Sequence, residues 1–291
     1  MEIARYTLSA AERIAFEDHC AAPDARDVNN LRLDCESLVA ALREFRDGTN
    51  DAPLIVISGL PCKEAGGLPT PRDRCNPPGM DMKTEHSIAL CAALMDVRIR
   101  VAEGESFPFN TPFHHVIPQQ EHVETPAVNN GAGDFPFHQD RIFLEEPPDY
   151  HLLACVRVGS DPCATSFMDT RPIIVDMPSE IAAALSCREF EDPATAKRVP
   201  IFREGKNGAY LGVDLQPGWM IPITDEALRA LEYLRQQSNR VAESDITSIL
   251  IGPGDLVIHD HHRLMHGRER FKPDFGRPET IRWLIRAHAV A

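Results

Sequence analysis

Three short stretches of the chain carry residue types that do chemistry. The first is Phe137-His138-Gln139-Asp140. On a strand, residues i and i+2 point to the same side, so His138 and Asp140 present an imidazole and a carboxylate to one point. The second spans 254–268, where a strand runs into a polar turn with His259, His261, His262 and His266 nearby. Such a cluster is either a metal site or a solvated loop. The third spans 281–288, where alternation puts Arg282, Leu284, Arg286 and His288 on one face and Ile281, Trp283, Ile285 and Ala287 on the other. That is either an ordinary sheet with a wet basic face, or an anion site inside a barrel, where arginine grips a carboxylate through two bonds. Taken together, two histidines and one carboxylate are the facial ligand set of non-haem Fe(II) oxygenases. That set leaves room on the metal for a chelating 2-oxo acid and O2. An arginine shortly after the distal histidine can hold the far carboxylate of the acid.

Residues so far apart in the chain need a scaffold that brings distant strands together. The spacing predicts helices over 7–20, 31–46, 83–94, 178–187 and 225–237. Ser9 and Glu12 form a capping box for the first, and Thr224 caps the last. Leu54-Ile55-Val56-Ile57 reads as a buried strand stopped by Gly59 and Pro61. Residues 61–80, with five prolines and three glycines, read as a long irregular loop. From about 97 onward short strands dominate, at 151–158, 163–168, 199–203, 209–213, 247–251, 255–259 and 281–288. Helices early and strands late suggest an α+β chain built on a sandwich or barrel.

Composition sets the outer limits. The 291 residues are 43% hydrophobic and 25% charged, which excludes disorder and collagen. A chain of this length buries roughly three quarters of its unfolded surface and needs no disulfides. The net charge of −14 argues against nucleic-acid and anionic-membrane partners, which need basic surface. No apolar run reaches the length of a membrane span and the N-terminus lacks a signal-peptide pattern, so a cytoplasmic protein is expected. The eight cysteines include no C-x-x-C pair, so they read as reduced thiols rather than a zinc knuckle.

With these motifs in view, the sequence resembles the Fe(II)/2-oxoglutarate-dependent dioxygenase superfamily, in its TauD/clavaminate synthase-like branch. The matching text is the H-x-D at His138 and Asp140, the D-Y-x-x-L-x-C-x-R strand from Asp149 to Arg157, and Ala164-Thr165-Ser166-Phe167. It continues in the P-G-D-L of Pro253 to Leu256, the H-x-R at His266, and Arg282-Trp283-Leu284-Ile285-Arg286. The resemblance implies one domain over 1–291. Its part up to residue 96 is mainly helical. From 97 on it is a double-stranded β-helix (jelly-roll, cupin-like) core with flanking helices. It implies Fe(II) on His138, Asp140 and His266, with 2-oxoglutarate as co-substrate and O2 as oxidant. Arg282 would bind the far carboxylate of 2-oxoglutarate, Ser166 or Thr165 would add a hydroxyl, and Arg286 would lie near the 2-oxoglutarate or the substrate carboxylate. The remaining histidines, His259, His261 and His262, gain no role and are expected beside the ligands or facing solvent. Asp140 stands where halogenating relatives carry Gly or Ala, which favours hydroxylation or desaturation.

The same resemblance points to a small substrate derived from an amino acid. Asp214, in Leu211-Gly212-Val213-Asp214, would face a cationic end of it, or else be a surface turn aspartate. One departure stands out. The branch's P-x-x-x-H-E-D-T places a Glu, associated with the substrate α-amine, where this chain has Val123. Either Glu121 or Glu124 substitutes, or the substrate has no free α-amine there, as in an N-modified, carrier-bound or isonitrile-type derivative. Two other readings fit part of the pattern: a non-catalytic metal-binding jelly roll that senses a ligand, and a zinc hydrolase. Neither accounts for the histidines and aspartate together with the following R-W-L-x-R.

Overall fold

The computed structural model describes residues 1–21, 27–62, 82–100, 112–125, 130–205, 208–216 and 218–291. The loop expected at 61–80 lies, from residue 63 on, outside the described residues. The N-terminal part runs β1 (Ala4–Thr7), α1 (Ala10–Ala21), α2 (Val28–Asp34), α3 (Glu36–Arg46), β2 (Leu54–Ser58), α4 (Lys83–Leu94), β3 (Arg98–Ile99) and β4 (His114–Val116). Then come β5 (Phe135–His138), β6 (Tyr150–Arg157), β7 (Thr165–Asp169), α5 (Arg171–Val175) and α6 (Ser179–Leu185). Five short strands follow: β8 (Phe190–Glu191), β9 (Arg198–Val199), β10 (Phe202–Gly205), β11 (Gly208–Leu211) and β12 (Ile221–Pro222). The chain ends with α7 (Asp225–Ser244), β13 (Ile246–Ile249), β14 (Leu256–Asp260), β15 (Leu264–Arg268) and β16 (Trp283–Val290).

Two sheets make the core. The larger has the order β1-β2-β14-β6-β16-β3, with β4 also paired to β16, and the smaller has the order β13-β7-β15-β5. Among the described residues, only β1 and β2 run parallel within them. The inner faces meet in a cluster that includes Val257, Leu153 and Leu284 from the large sheet and Phe167, Leu264 and Ile249 from the small one. Helices α1 to α4 pack on the outer face of the large sheet, against Leu256, Ile258, Leu152, Ala154, Trp283 and Ile285. Helix α7 covers the outer face of the small sheet, over Met168 and Met265. The architecture is α+β: a jelly-roll sandwich with helices on both outsides.

Side-chain caps start α1 and α7. The Ser9 N–H donates to Glu12 Oε2 at 2.8 Å and the Glu12 N–H to Ser9 Oγ at 3.3 Å, the reciprocal box that starts α1. Thr224 Oγ1 accepts from the Ala227 N–H at 3.2 Å and starts α7. Two expectations need correction. The helix over 31–46 is two helices, broken at Cys35 (φ −126°, ψ 38°). The break turns Leu31 of α2 and Leu38, Leu42 and Phe45 of α3 into the same cluster. The polar turn after β14 is shorter than read, since residues 264–268 form β15. The turn at 261–263 carries the chain from the large sheet to the small one.

Two consequences are measurable. A Cβ on Gly267 would stand 2.9 Å from the Phe135 carbonyl oxygen and 3.3 Å from the Phe137 nitrogen, both backbone atoms of the neighbouring strand. Gly267→Ala is therefore expected to cost about 1–3 kcal/mol by forcing β15 from β5; an unchanged denaturant midpoint would refute this. Asp96, at φ 59° just past α4, accepts from Arg32 of α2 at 2.6 Å and from Arg43 and Arg46 of α3 at 3.2 Å each. The hydrogen bond from Arg32, with the charges of Arg32 and Arg43, holds its carboxyl below the usual range against a burial penalty. The folded state thus binds fewer protons than the unfolded one as pH falls through the carboxylate range, so this contribution is present at neutral pH and lost in acid. Asn tolerates the same positive φ. Asp96→Asn is expected to flatten the loss of stability between about pH 6 and about pH 3. Parallel curves for the two proteins would show that the pairing contributes nothing.

Candidate metal centre

Strands β5 and β15 are neighbours, and His138 stands directly opposite His266 across them. That register is how two residues distant in sequence meet, with ring centroids 4.3 Å apart. His138 Nδ1 lies 2.9 Å from the Pro136 carbonyl oxygen. With its proton donated there, the ring presents the lone pair of Nε2, which is buried and has no partner among the described residues. Asp140 follows in the turn after β5. Its Oδ1 lies 3.8 Å from His138 Nε2 and its Oδ2 3.8 Å from His266 Nε2. One ligand atom from each of the three residues falls within 4.8 Å of the other two. An orphaned buried lone pair, a second imidazole and a carboxylate aimed at one point fit a divalent transition metal.

The carboxylate is held from the large sheet. Arg286 Nη1 donates to both oxygens of Asp140, at 3.0 and 2.9 Å. Nε2 of His151 and of His288 each lie 3.3 Å from Oδ2. Arg286 Nη2 reaches His114 Nδ1 at 2.7 Å. Burial alone would raise the Asp140 carboxyl, but Arg286, His151 and His288 outweigh it and hold it well below the usual carboxylate range. Burial also holds His266 well below the ordinary histidine value, so its ring is neutral. Ionised carboxylate and neutral imidazole are the states a metal needs. Between His138 and Asp140, the Gln139 side chain donates to the His261 carbonyl at 2.6 Å and accepts from the Val213 N–H at 3.0 Å. Those bonds fix the turn that aims Asp140.

A small cavity opens beside the centre, lined by His151, Thr165, His266, Arg268, Arg282 and Arg286 among others. Its two outer cations, Arg268 and Arg282, share the ring of Phe271, at 5.1 and 5.6 Å from its centroid. Arg268 Nη2 also donates to the Gly133 carbonyl at 3.1 Å. Burial draws Arg268 down to about 10 and lowers Arg282, which leaves both charged at neutral pH. No carboxylate among the described residues lines this cavity. A lining of buried cations without a counter-charge suits an anion.

The structure sorts the other candidates. Thr165 is buried and lines the cavity, whereas Ser166 points to the opposite side of β7 and bonds Ser248 Oγ at 2.8 Å. The strand pleat decides between them, since adjacent residues face opposite ways. Arg286 lines the cavity but spends Nη1 on Asp140. Asp214 is buried beside His138 through an isolated bridge, so it is not a surface turn residue. Its carboxylate accepts from the Gln216 N–H at 2.9 Å and Nε2 at 3.1 Å, and burial pushes it up to about 6. Glu121 and Glu124 do not reach the centre: both are exposed, and Glu124 pairs with Arg270 at 3.2 Å. Val123 instead turns inward against Ala132, Cys163 and Phe271. His259 and His261, expected beside the ligands or in solvent, are 0% and 2% exposed. His262 stacks on Tyr210 at 4.1 Å. The sequence alone assigns no role to Gln139, His114, His151 and Arg268, and places His288 only on the face it shares with Arg282 and Arg286. The polar tip of the otherwise apolar 150–156 strand was the one available sign for His151.

No family model matches the chain. Among curated proteins it is similar to L-asparagine oxygenase of Streptomyces coelicolor, 27% identical over 288 residues, covering 92% of this chain and 81% of the relative. It is also similar to clavaminate synthase 2 of Streptomyces clavuligerus, 26% identical over 269 residues, covering 87% of this chain and 78% of the relative. Among solved structures, asparagine oxygenase in complex with Fe(II), 3-hydroxyasparagine and succinate superposes with a TM-score of 0.79, at 22% identity, over 98% of this chain and 92% of that one. The sandwich, the converging histidines and aspartate, and these likenesses agree: along nearly its whole length the chain is similar to Fe(II)/2-oxoglutarate oxygenases of the TauD/clavaminate synthase-like branch.

Proposed function

We propose that the protein is an Fe(II)- and 2-oxoglutarate-dependent oxygenase that hydroxylates an unactivated C–H bond of a small amino acid or amino-acid-derived molecule. The observation that carries this reading is the pairing of two adjoining features. One is a His-Asp-His set with a buried, unpartnered lone pair; the other is a cavity with three buried arginines and, among the described residues, no carboxylate. When bound, the iron and 2-oxoglutarate supply the oxidation, in which O2 is consumed, succinate and CO2 leave and one oxygen atom enters the substrate. His138, Asp140 and His266 hold the metal. Arg282, buried and free of acidic partners in the cavity, takes the far carboxylate of 2-oxoglutarate, with Thr165 beside it. Arg268 adds a second positive charge to the same wall. Arg286 and the histidines around it keep Asp140 ionised and aimed, and the apolar inner faces of the two sheets keep water from the reacting bond. Asp214, beside His138, is placed to meet a cationic group of the substrate.

One observation favours a substrate without a free α-amine. Val123 occupies the position where the branch carries its amine-binding Glu, and both neighbouring glutamates face solvent. An ammonium buried there without a counter-charge would be costly. An N-modified or carrier-bound amino acid avoids that cost, and desaturation remains open to the same centre.

Succinate release from 2-oxoglutarate should require both Fe(II) and O2 and should vanish in His138→Ala. Arg282→Ala is expected to raise the KM for 2-oxoglutarate about 100-fold, since truncating one side of a buried charge pair costs about 2–5 kcal/mol, with partial recovery in Arg282→Lys. Failure of anaerobic Fe(II) and 2-oxoglutarate to give a weak charge-transfer absorption would remove the assignment. Asp214→Asn should raise the KM for a cationic substrate while leaving that absorption intact. A screen of amino acids against their N-acyl derivatives, scored by a product heavier by one oxygen, tests the substrate class.

A further inference from the structure

The oxygenase centre uses one imidazole from each of β5 and β15, yet the inner face of the large sheet carries three more in a row. His259 on β14 stands opposite His151 on β6, and His151 stands opposite His288 on β16. His288 and His151 approach Asp140. His259 forms no ion pair with an acid among the described residues. It is wholly buried, and neither of its ring nitrogens has a hydrogen-bond partner among the described residues. His151 Nδ1 and His266 Nδ1 are likewise buried and unpartnered. Burying a polar group without a partner is costly, and an imidazole with both nitrogens idle loses twice. A sequence that only needed to fill this position would use Val or Leu, as at Val257 and Leu153 on the same faces.

The missing partner has a place to sit. One nitrogen from each of His151, His259 and His266 lies within 4.8 Å of the other two, with all three residues buried. The ring centroids are 4.7 Å apart for His151 and His259, 4.7 Å for His151 and His266, and 5.5 Å for His259 and His266. Zinc held at about 2.0–2.1 Å by tetrahedral imidazoles brings their nitrogens to about 3.3 Å from one another, a closure that side-chain rotation can supply. Three imidazoles suit zinc, cobalt, nickel or copper better than magnesium or calcium, which prefer oxygen.

We propose that His151, His259 and His266 form a second metal position, for a divalent ion that favours imidazole. It is distinct from the His138–Asp140–His266 set and shares one ligand with it. His151 and His266 both line the cavity, so the fourth place on such an ion opens to that side. The shared ring makes the two positions alternatives. An ion on the trio withdraws His266 from the oxygenase centre, so zinc bound there holds the protein in an inactive form that iron must displace.

The test uses the full chain and cobalt as a visible probe. In His138→Ala, which lacks a ligand of the oxygenase set but none of the trio, one Co2+ per chain is expected, with the intense visible absorption of a four-coordinate ion. Adding His259→Phe should abolish that absorption and the bound cobalt measured by equilibrium dialysis. His259→Gln repeats the measurement should the Phe variant fail to fold by circular dichroism. The proposal is overturned if His138→Ala binds no cobalt, or if cobalt absorption persists without His259. The oxygenase reading is judged separately, by the anaerobic Fe(II)–2-oxoglutarate absorption of the unaltered chain, which does not depend on either outcome.

Discussion

A single ionised carboxylate inside a sandwich of apolar strands is the constraint on which the rest of this structure depends. Removing a carboxylate from water costs several kcal/mol even after the protein relaxes, and only close, well-directed partners repay it. Asp140 has them: Arg286 across both oxygens, and His151 and His288 on Oδ2. Asp140 belongs to the end of the small sheet, and all three partners belong to the large one. The ion pair therefore joins the two halves of the sandwich at the point where the ligands converge. Arg286 is in turn tied to His114 on β4, so even a three-residue strand at the side of the sheet has a part in aiming the acid.

The same arrangement reconciles two facts about charge. The chain as a whole is acidic, at −14, yet the wall of its cavity is formed by buried arginines. Acidic groups are concentrated where water screens them, and cations are held where an anion can reach them. Arginine suits this role because its guanidinium stays charged after burial, whereas a lysine there would shed its proton more easily. The aromatic ring between Arg268 and Arg282 stabilises both cations without supplying a counter-charge that would compete with a ligand.

How much of this the sequence disclosed follows from the range of the interactions. The alternation in 281–288 placed Arg282, Arg286 and His288 on the inner face because pleating is local, and a strand's two sides can be told from one turn of its pattern. The histidines at 138 and 266 and the aspartate at 140 were legible by type and by resemblance to a family. Register was not. That His259, His151 and His288 form one row depends on how three strands slide past one another, and nothing in any one of them records it. The motif left Ser166 and Thr165 both open for a related reason, since it spans the two and only the pleat separates them. The break at Cys35 has no proline or glycine to announce it; it arises from the demand that two helices load one cluster. Strand β15 hid within a histidine-rich stretch because its polar residues face inward, the reverse of what polarity ordinarily indicates.

The division of labour between the layers limits where this fold can change its chemistry. Outer faces carry apolar residues packed against helices, away from the converging histidines and Asp140. Inner faces carry the ligands, the arginines and the histidine row in fixed register, so a shift of one strand would move several functional groups together. What remains free to vary are the segments at the rim, where Val123 and Asp214 sit on connections rather than in the two sheets. Val123 packs against Ala132, Cys163 and Phe271, so a change of residue there leaves the Asp140–Arg286 ion pair undisturbed. With the proposed roles of Val123 and Asp214, substrate choice and oxidative chemistry are separable here, because one is held by connections and the other by the register of the sandwich.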